Sequence, residues 1–237
     1  MSRLYNKNAL GFSLVFIAVY VVGTSIADNI HKGVTLVFHL LLSVLLFIWA
    51  KREKLGDYFG LVKPTYPAKT ALYWLPLVAL CSCNLWFGVS MSMPVSTTVF
   101  YVASMLCVGF LEEFIFRGLL FRAMEKDGVK TAALVSSLTF GIGHIINLFN
   151  GSGMQLVANL CQVVYATAFG YLCVVLFYKG GSLLPCIAVH SIVNALSAFS
   201  VTPSPAGQIL SAVILTVIEL GYALYLNRHL KQQKAEE

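Results

Sequence analysis

Residues 97–121 read TTVFYVASMLCVGFLEEFIFRGLLF, an apolar run of 25 residues in which only Glu112, Glu113 and Arg117 are charged. A helix of about 20 apolar residues crosses the roughly 30 Å hydrocarbon core of a bilayer, so this run is long enough to span a membrane. Ionisable side chains are energetically unfavourable inside such a segment and usually serve a function there. The run therefore predicts a membrane helix that carries a functional site.

The composition of the whole chain agrees with a membrane protein. Of its 237 residues, 58% are hydrophobic and only 11% are charged, and the mean hydropathy is +0.80. Soluble domains carry about 25% charged residues, which excludes an ordinary cytosolic domain, a disordered tail and a disulfide-rich secreted domain. The net charge of +6 comes from short clusters between apolar blocks. We therefore expect the lipid bilayer, and not nucleic acid, as the partner of these basic residues.

Eight apolar stretches are candidates for membrane helices, and together they predict an all-α polytopic bundle. They run approximately over residues 9–27, 34–50, 71–90, 97–121, 131–149, 154–178, 182–200 and 207–226. The second stretch is short and the third contains Pro76, so these two have the least regular boundaries. We interpret residues 1–237 as a single membrane domain.

The basic residues are distributed asymmetrically along an eight-span chain. Fourteen of the sixteen Lys and Arg residues fall on the side that holds both termini, the 51–70 connection, the 122–130 loop and Lys179, whereas Lys32 alone lies on the other side. Because basic loops stay in the cytoplasm, this asymmetry predicts a multi-pass protein of the cell membrane with both termini cytoplasmic. The 51–70 connection mixes apolar and basic residues and is expected to lie on anionic lipid.

The paired acids at positions 112 and 113 are the most informative polar feature. Glu113 precedes Arg117 by four residues, the favourable order for an ion pair on a helix. Glu112 points about 100° away around the helix, so Arg117 does not readily serve both acids. One carboxylate is then structural, and the other is left in a low-dielectric site where it can act as a general base. In the alternative interpretation both acids pair with Arg117 and only hold the bundle together.

A histidine on the fifth predicted span is a second candidate. His144 follows Gly141 and Gly143, which permit close approach of another helix, and Asn147 lies on the same helical face. A buried histidine that only forms hydrogen bonds is the alternative.

His190 and Asn194 on the seventh predicted span form a third candidate. They lie four residues apart and offer an imidazole and an amide, the donors that an oxyanion hole needs. His190 is equally suitable as a metal ligand or as an interhelical hydrogen-bonding residue. At ~1.5 Å per residue, Glu112, His144 and His190 lie roughly 12–20 Å from the predicted cytoplasmic ends of their helices, so the three side chains are expected to converge on one site.

Other unusual residues are less informative. Glu219 in the last span is expected either to form a hydrogen bond within the bundle or to face a water-filled entrance, and His39 is expected to be structural. The cysteines have no metal-ligand spacing and are expected to be buried thiols. They are Cys81, Cys83, Cys107, Cys161, Cys173 and Cys186.

Several hydrolase motifs are absent from the sequence. It contains no HExxH motif of zinc proteases, no GxSxG nucleophile motif and no GxGD motif of membrane aspartyl proteases. Acyl-enzyme chemistry is therefore disfavoured. A water molecule activated by Glu and His, attacking a carbonyl carbon, fits the residues that are present.

Three motifs of the predicted membrane spans each place polar or aromatic residues four or five positions apart. They are Glu112-Glu113-x-x-x-Arg117, Phe140-x-x-x-His144 and His190-x-x-x-Asn194. In order, separation and placement they resemble the CAAX-protease and bacteriocin-processing family, also called CPBP or Abi, over the expected catalytic core of residues 97–200. The resemblance implies an intramembrane endopeptidase for a peptide or protein substrate at the membrane, such as the prenylated CAAX peptides that eukaryotic members cleave.

The resemblance also implies roles for the polar residues. Glu112 and His144 would activate the water, and His190 and Asn194 would stabilise the tetrahedral oxyanion. The family is often described as metalloproteases, yet these residues do not form a standard zinc motif. Both a metal-free water and a water on a divalent metal such as zinc are compatible with them. In the second case the ligands would be Glu112, His144 and His190.

Supporting residues and alternative functions complete the interpretation. By the same resemblance, Glu113 and Arg117 would hold the shape of the site, with Phe140 and Asn147 as its second layer. A non-catalytic immunity or scaffold protein of the same fold is the main alternative. A proton-coupled transporter is a further one, although the sequence shows no repeated halves.

Overall fold

The computed structural model describes residues 1–65, 74–150 and 153–230. In these residues the chain is helical apart from its connections, and β-structure is limited to one bridge between Val89 and Ser200. The predicted all-α polytopic bundle is confirmed. In chain order the α-helices are α1 Ser2–Lys7, α2 Ala9–Ile30, α3 Lys32–Arg52, α4 Leu75–Cys81, α5 Val95–Glu113, α6 Arg122–Met124, α7 Val129–Gly143, α8 Leu156–Gly180, α9 Leu184–Leu196 and α10 Pro205–His229. A π-helix over Phe114–Phe121 continues α5, and 3-10 turns cover Cys83–Leu85, Glu125–Asp127, His144–Leu148 and Ser197–Phe199.

Six helical segments are long and apolar enough to cross a membrane. They are Ala9–Ile30, Lys32–Arg52, Val95–Asp127, Val129–Leu148, Leu156–Gly180 and Pro205–His229. Their outer faces carry many exposed aliphatic side chains, such as Val15, Leu41 and Val217. Exposed apolar side chains of this density suit a lipid-facing surface.

Two of the eight predicted spans are shorter than expected. For the predicted span 71–90, the described part is the seven-residue helix α4, which starts with Pro76 in its first turn and is followed by the 3-10 turn Cys83–Leu85. Residues 71–73 lie outside the described residues. For the predicted span 182–200, helix α9 ends at Leu196. It ends there because Ser197 donates a side-chain hydrogen bond to the carbonyl of Asn194, which continues the chain as a 3-10 turn.

The chain nevertheless passes along the bundle in both of these regions. At one end of α9, Ser182 donates a hydrogen bond to the carbonyl of Val62. Beyond the other end of α9, Ser200 forms the bridge with Val89. Residues 62 and 89 therefore lie at opposite ends of the bundle.

Contacts between distant segments define what we call the basic end of the bundle, formed by α1 and residues 53–65, 122–128 and 180–183. Trp49 donates a hydrogen bond to Ser2, Tyr58 to the carbonyl of Arg122, and Thr65 to the carbonyl of Gly180. The opposite end, called the far end, is formed by the α2–α3 junction and residues 86–94, 149–150, 153–155 and 200–204. The structure thus gathers the predicted basic segments at one end, as the charge pattern indicates.

The half of the bundle next to the basic end is a solid aromatic and aliphatic core. Phe59 has no exposed surface and its ring centroid lies 5.1 Å from that of Phe114. Phe121 and Phe177, also without exposed surface, are 6.2 Å apart. Leu183 completes the layer and donates its backbone N–H to the carbonyl of Gly60.

This core corrects the expectation that the 51–70 connection lies on lipid. Phe59 packs inside the bundle, and Leu55 and Leu61 are partly buried against the same core. The connection therefore turns its apolar residues inward, since the helix ends leave a gap that these side chains fill. Residues 66–70 lie outside the described residues.

Candidate active site

The paired acids stand at the point where α5 becomes a π-helix. Glu112 and Glu113 are the last residues of α5, and Arg117 lies in the π-helix Phe114–Phe121. π-Helical turns are uncommon and occur frequently at functional sites, because the wider turn redirects side chains. Here the change of helix type coincides with all three charged residues of the predicted motif.

A close approach of α5 and α9 brings the acids against His190. A Cβ atom at Gly109 would lie 2.7 Å from the Cα atom of Ser191, so no larger residue fits there without moving one helix. Ser191 also donates a hydrogen bond to the carbonyl of Leu106 on α5. Gly109 therefore sets the short distance between the helices that His190 needs to reach both carboxylates.

His190 lies between the two carboxylates. Its Nδ1 atom is 2.8 Å from Glu113 Oε1, and its Nε2 atom is 3.2 Å from Glu112 Oε2. A neutral imidazole donates from one nitrogen only, whereas an imidazolium donates from both. The arrangement thus suits an imidazolium, which can donate to both carboxylates at once.

One carboxylate oxygen of Glu113, Oε1, contacts both Arg117 and His190, whereas the buried Oε2 has no hydrogen-bond partner in the described residues. Arg117 Nη1 lies 3.1 Å from Glu113 Oε1, and neither side chain has exposed surface. The guanidinium also stacks on the ring of Phe140, 4.3 Å from its centroid. The ion pair expected from the i, i+4 spacing is present, and it leaves Glu112 as the acid that faces the cavity described below.

Tyr20 on α2 contributes a contact that the sequence did not indicate. Its hydroxyl donates to Glu112 Oε1 at 2.7 Å. A tyrosine in a membrane helix is ordinarily interpreted as an interfacial anchor, so the residue type alone gave no signal. Thr24 lies four residues later on the same helix face and contacts His39 at 2.9 Å. The spacing of these two polar residues was the available sign in the sequence that this face of α2 is turned inward.

His39 is buried and has partners on two helices. Its Nε2 atom lies 2.9 Å from Thr24 Oγ1, its Nδ1 atom lies 2.8 Å from Ser104 Oγ, and its ring packs beside that of Tyr20. These contacts tie α2, α3 and α5 together around the helix that carries Glu112. The sequence did not indicate these partners of His39.

His144 stands where α7 becomes a 3-10 turn. Its backbone carbonyl accepts a hydrogen bond from the buried Asn159, and Asn147 in the same turn donates to Gln162. A Cβ atom at Gly141 would lie 2.8 Å from the carbonyl oxygen of Val163 on α8, so this glycine permits the close helix approach that was predicted. Gly143 was expected to do the same, but the space beside it is open.

A cavity of about 600 Å³ connects the predicted site residues. Glu112, His144, His190, Asn194 and Asn147 all line it. We call the deepest part of its lining the floor, to which eight helices contribute one residue each. In chain order these residues are Tyr20, His39, Leu80, Glu112, Phe140, Phe169, His190 and Glu219. At ~1.5 Å per residue, Tyr20 and Phe169 lie about 16–17 Å from the basic-end termini of their helices, and Glu112 lies about 13–14 Å from the end of the π-helix at Phe121, within the predicted range of depth.

Two aromatic rings shape the floor around the histidines. The ring of Phe140 lies 5.2 Å from that of His144 and 5.6 Å from that of His190, both edge-on. Phe169 meets His190 edge-on at 5.1 Å. These contacts hold the imidazole of His190 in plane with its acidic partners, because edge-on aromatic packing restricts ring rotation.

Glu219 lies on the floor, away from the acid pair on α5. It is 3% exposed, lines the cavity and has a carboxylate oxygen without a hydrogen-bond partner in the described residues. Of the two expectations for this residue, facing a water-accessible space agrees with the structure.

The described residues do not present the predicted metal ligands as a metal site. Glu112, His144 and His190 do not bring one ligand atom each within 4.8 Å of one another, whereas Glu113, Cys173 and Cys186 do. Glu113 is already paired with Arg117, so a cation would compete with a buried guanidinium there. Glu112, His144 and His190 therefore do not fit a zinc ion as arranged, since ligand atoms of a bound zinc lie about 2.0–2.3 Å from the metal.

The cysteines agree only in part with the expectation of buried thiols. All six are free, with Cys173 and Cys186 buried and the other four partly buried. Cys161 and Cys83 line the cavity, whereas Cys173 lies in the solid core on the other side of the floor.

Part of the chain is similar to a known protein family. Residues 94–196 match the sequence model of a family described as type II CAAX prenyl endopeptidase Rce1-like. The family resemblance predicted from the three motifs is confirmed. No curated protein and no solved structure matches the chain.

The Rce1-like segment holds half of the residues that form the floor of the cavity. It includes α5, α7, α8 and α9, and so contains both acids, His144 and His190. The other half of the floor comes from helices outside this segment, α2, α3, α4 and α10, which contribute Tyr20, His39, Leu80 and Glu219.

Proposed function

We propose that the chain is an intramembrane endopeptidase in which Glu112 activates the water that attacks a peptide carbonyl. Similarity to the CAAX prenyl endopeptidase family supports peptide-bond hydrolysis at a membrane. The observation that carries the proposal is the position of Glu112 on the cavity floor, with one oxygen bonded to Tyr20 and the other 3.2 Å from His190. A general base must be held within reach of its substrate and must be oriented by neighbours, and Glu112 meets both conditions.

The reaction follows from the groups around the cavity. Glu112 accepts a proton from water as the water oxygen bonds to the carbonyl carbon. His144 assists Glu112 in activating the water, and Asn194 supplies an N–H donor for the resulting oxyanion; both residues line the cavity. When the C–N bond breaks, the carboxyl group of Glu112 returns its proton to the departing amine.

The position of His190 refines the role that the family resemblance implies for it. Both ring nitrogens face acids, so its first task is to orient Glu112. Glu113 and Arg117 hold His190 from the side of the solid core. An additional contact of His190 Nε2 with the oxyanion requires that Glu112 turn towards the water.

Substitution of Glu112 tests the proposal. The purified protein is assayed with quenched peptides tethered to lipid, with and without a prenyl group, beside the variants Glu112→Gln and Glu53→Gln. Glu53 is an exposed glutamate at the basic end and controls for the loss of one negative charge. We expect Glu112→Gln to lose at least about 100-fold in rate, the lower range of a general base, and Glu53→Gln to keep its rate.

The same assay separates the proposal from its alternative. If wild type cleaves no peptide of the panel while it protects cells from a bacteriocin equally well with or without Glu112, the chain is an immunity or scaffold protein of this fold. Cleavage that persists in Glu112→Gln contradicts the assignment of the base.

A further inference from the structure

The cavity that holds Glu112 has its mouth at the far end of the bundle. Its outermost lining residues are Asp28 and Lys32 at the α2–α3 junction, Asn150 and Met154 before α8, and Thr202 before α10. Each of these positions is a far-end connection. In the described residues, the lining includes none of the segments that form the basic end.

The basic end is closed beneath the site. Below Glu112, the chain continues through Ile115, Leu119 and Phe121, which have no exposed surface. Phe59 and Phe177 fill the space between the surrounding helices in the same layer. Such close-packed side chains leave no passage for a peptide from that side.

The two ends also differ in charge. The basic residues of the described chain concentrate at the basic end, while the far end carries Lys32, which is paired with Asp28 at 2.6 Å. Of the 13 Lys and Arg residues in the described ranges, eleven belong to segments on the basic side, and the other two are Lys32 and the buried Arg117. The positive-inside rule therefore assigns the basic end to the cytoplasm and the far end to the opposite face of the membrane.

We infer that the site takes its substrate from the non-cytoplasmic face of the membrane. The inference rests on the proposed endopeptidase function and specifies its substrate class, an extended peptide segment of an exported or membrane-inserted protein. A CAAX peptide presented on the cytoplasmic face would meet the closed end.

The dimensions and lining of the cavity fit such a segment. Its volume of about 600 Å³ is that of a ligand pocket and admits a few residues of extended chain, not a folded domain. Phe87, Met105, Val108 and Leu215 give it apolar walls between the mouth and the polar floor. Apolar side chains of the substrate would pack on these walls while a backbone carbonyl reaches the floor.

Thiol labelling tests the orientation without any need for activity. In a variant whose six cysteines are replaced by alanine, a single cysteine is introduced either as Thr202→Cys at the mouth or as Lys126→Cys at the basic end. Both positions are exposed. We expect a membrane-impermeant maleimide to label Thr202→Cys in intact cells and Lys126→Cys only after the membrane is opened. The reverse pattern overturns the inference.

Native cysteines test whether the cavity itself is open to that face. The same background is used with Cys161 restored, which lies in the cavity wall, or with Cys173 restored, which lies below the floor. A small charged thiosulfonate added to intact cells is expected to modify Cys161 and not Cys173. Modification of Cys161 only from the cytoplasmic side, or of neither cysteine, contradicts an open far end.

Cleavage on each face completes the test and distinguishes the two proposals. An impermeant quenched peptide cut by wild type in detergent is added to sealed vesicles of known orientation. Cleavage is expected in right-side-out vesicles and is expected to be lost in inverted ones until the membrane is opened. Cleavage only in inverted vesicles overturns the inference, whereas an inactive protein that still shows the expected labelling contradicts the endopeptidase and leaves the orientation established.

Discussion

Removal of the Tyr20 hydroxyl is the sharpest test of the site, because Tyr20 lies outside the Rce1-like segment. The hydroxyl donates to Glu112 Oε1 at 2.7 Å in a buried environment. A hydrogen bond to a charged group contributes about 1.5–3 kcal/mol. Since about 1.4 kcal/mol corresponds to a tenfold change in rate, Tyr20→Phe should lower kcat/KM roughly 10- to 150-fold if this bond positions the base.

The assay compares Tyr20→Phe with Tyr58→Phe on a peptide that wild type cleaves. Tyr58 also loses a hydroxyl hydrogen bond, to the carbonyl of Arg122, but at the basic end. Because positioning acts on the chemical step, the loss should appear in kcat and leave KM nearly unchanged. A rate for Tyr20→Phe within about twofold of Tyr58→Phe, in a folded protein, would refute the role of α2 in the site.

Three further predictions concern the supports of the site. Arg117→Met should lower the free energy of unfolding by about 3–5 kcal/mol in detergent, because it leaves the carboxylate of Glu113 buried without its cation. Adding Glu113→Gln to this variant should recover part of that loss. Equal losses in the single and the double variant would contradict the pairing. Gly109→Ala should push α5 and α9 apart by overpacking, and should lower both the free energy of unfolding, by about 1–3 kcal/mol, and kcat. The control Gly221→Ala, whose new methyl group would lie in open space, should change neither quantity. Chelators should leave cleavage unaffected, and a loss restored by added zinc would show that the ligand side chains gather around a metal in solution.

Sequence alone predicted the parts of the fold that depend on local pattern. The long spans followed from apolar length, and the Glu113–Arg117 pair followed from i, i+4 spacing on a helix. The convergence of Glu112, His144 and His190 on one cavity followed from their common depth. These inferences hold because depth along a helix is proportional to residue number.

Properties that depend on packing between distant segments could not be predicted in this way. Tyr20 and Glu112 are 92 positions apart, and no local spacing relates them. The filling of the basic end by Phe59 depends on a gap between helix ends that exists only in the assembled bundle. The direction in which the cavity opens depends on that filling. The depth of the polar residues along their helices therefore predicted where the site lies, but not the face from which it is reached.

The position of the floor follows from the cost of charge in a membrane. A carboxylate in hydrocarbon is tolerated when it is paired or when water reaches it. Glu113 is paired by Arg117 and His190 and therefore lies in the solid half without exposed surface. Glu112 shares only part of that pairing, and its side chain keeps 11% of its surface exposed to the cavity. Two adjacent acids thus mark the boundary between the packed half and the half that holds the cavity, and Glu112, on the cavity side, is the acid that we propose as the general base.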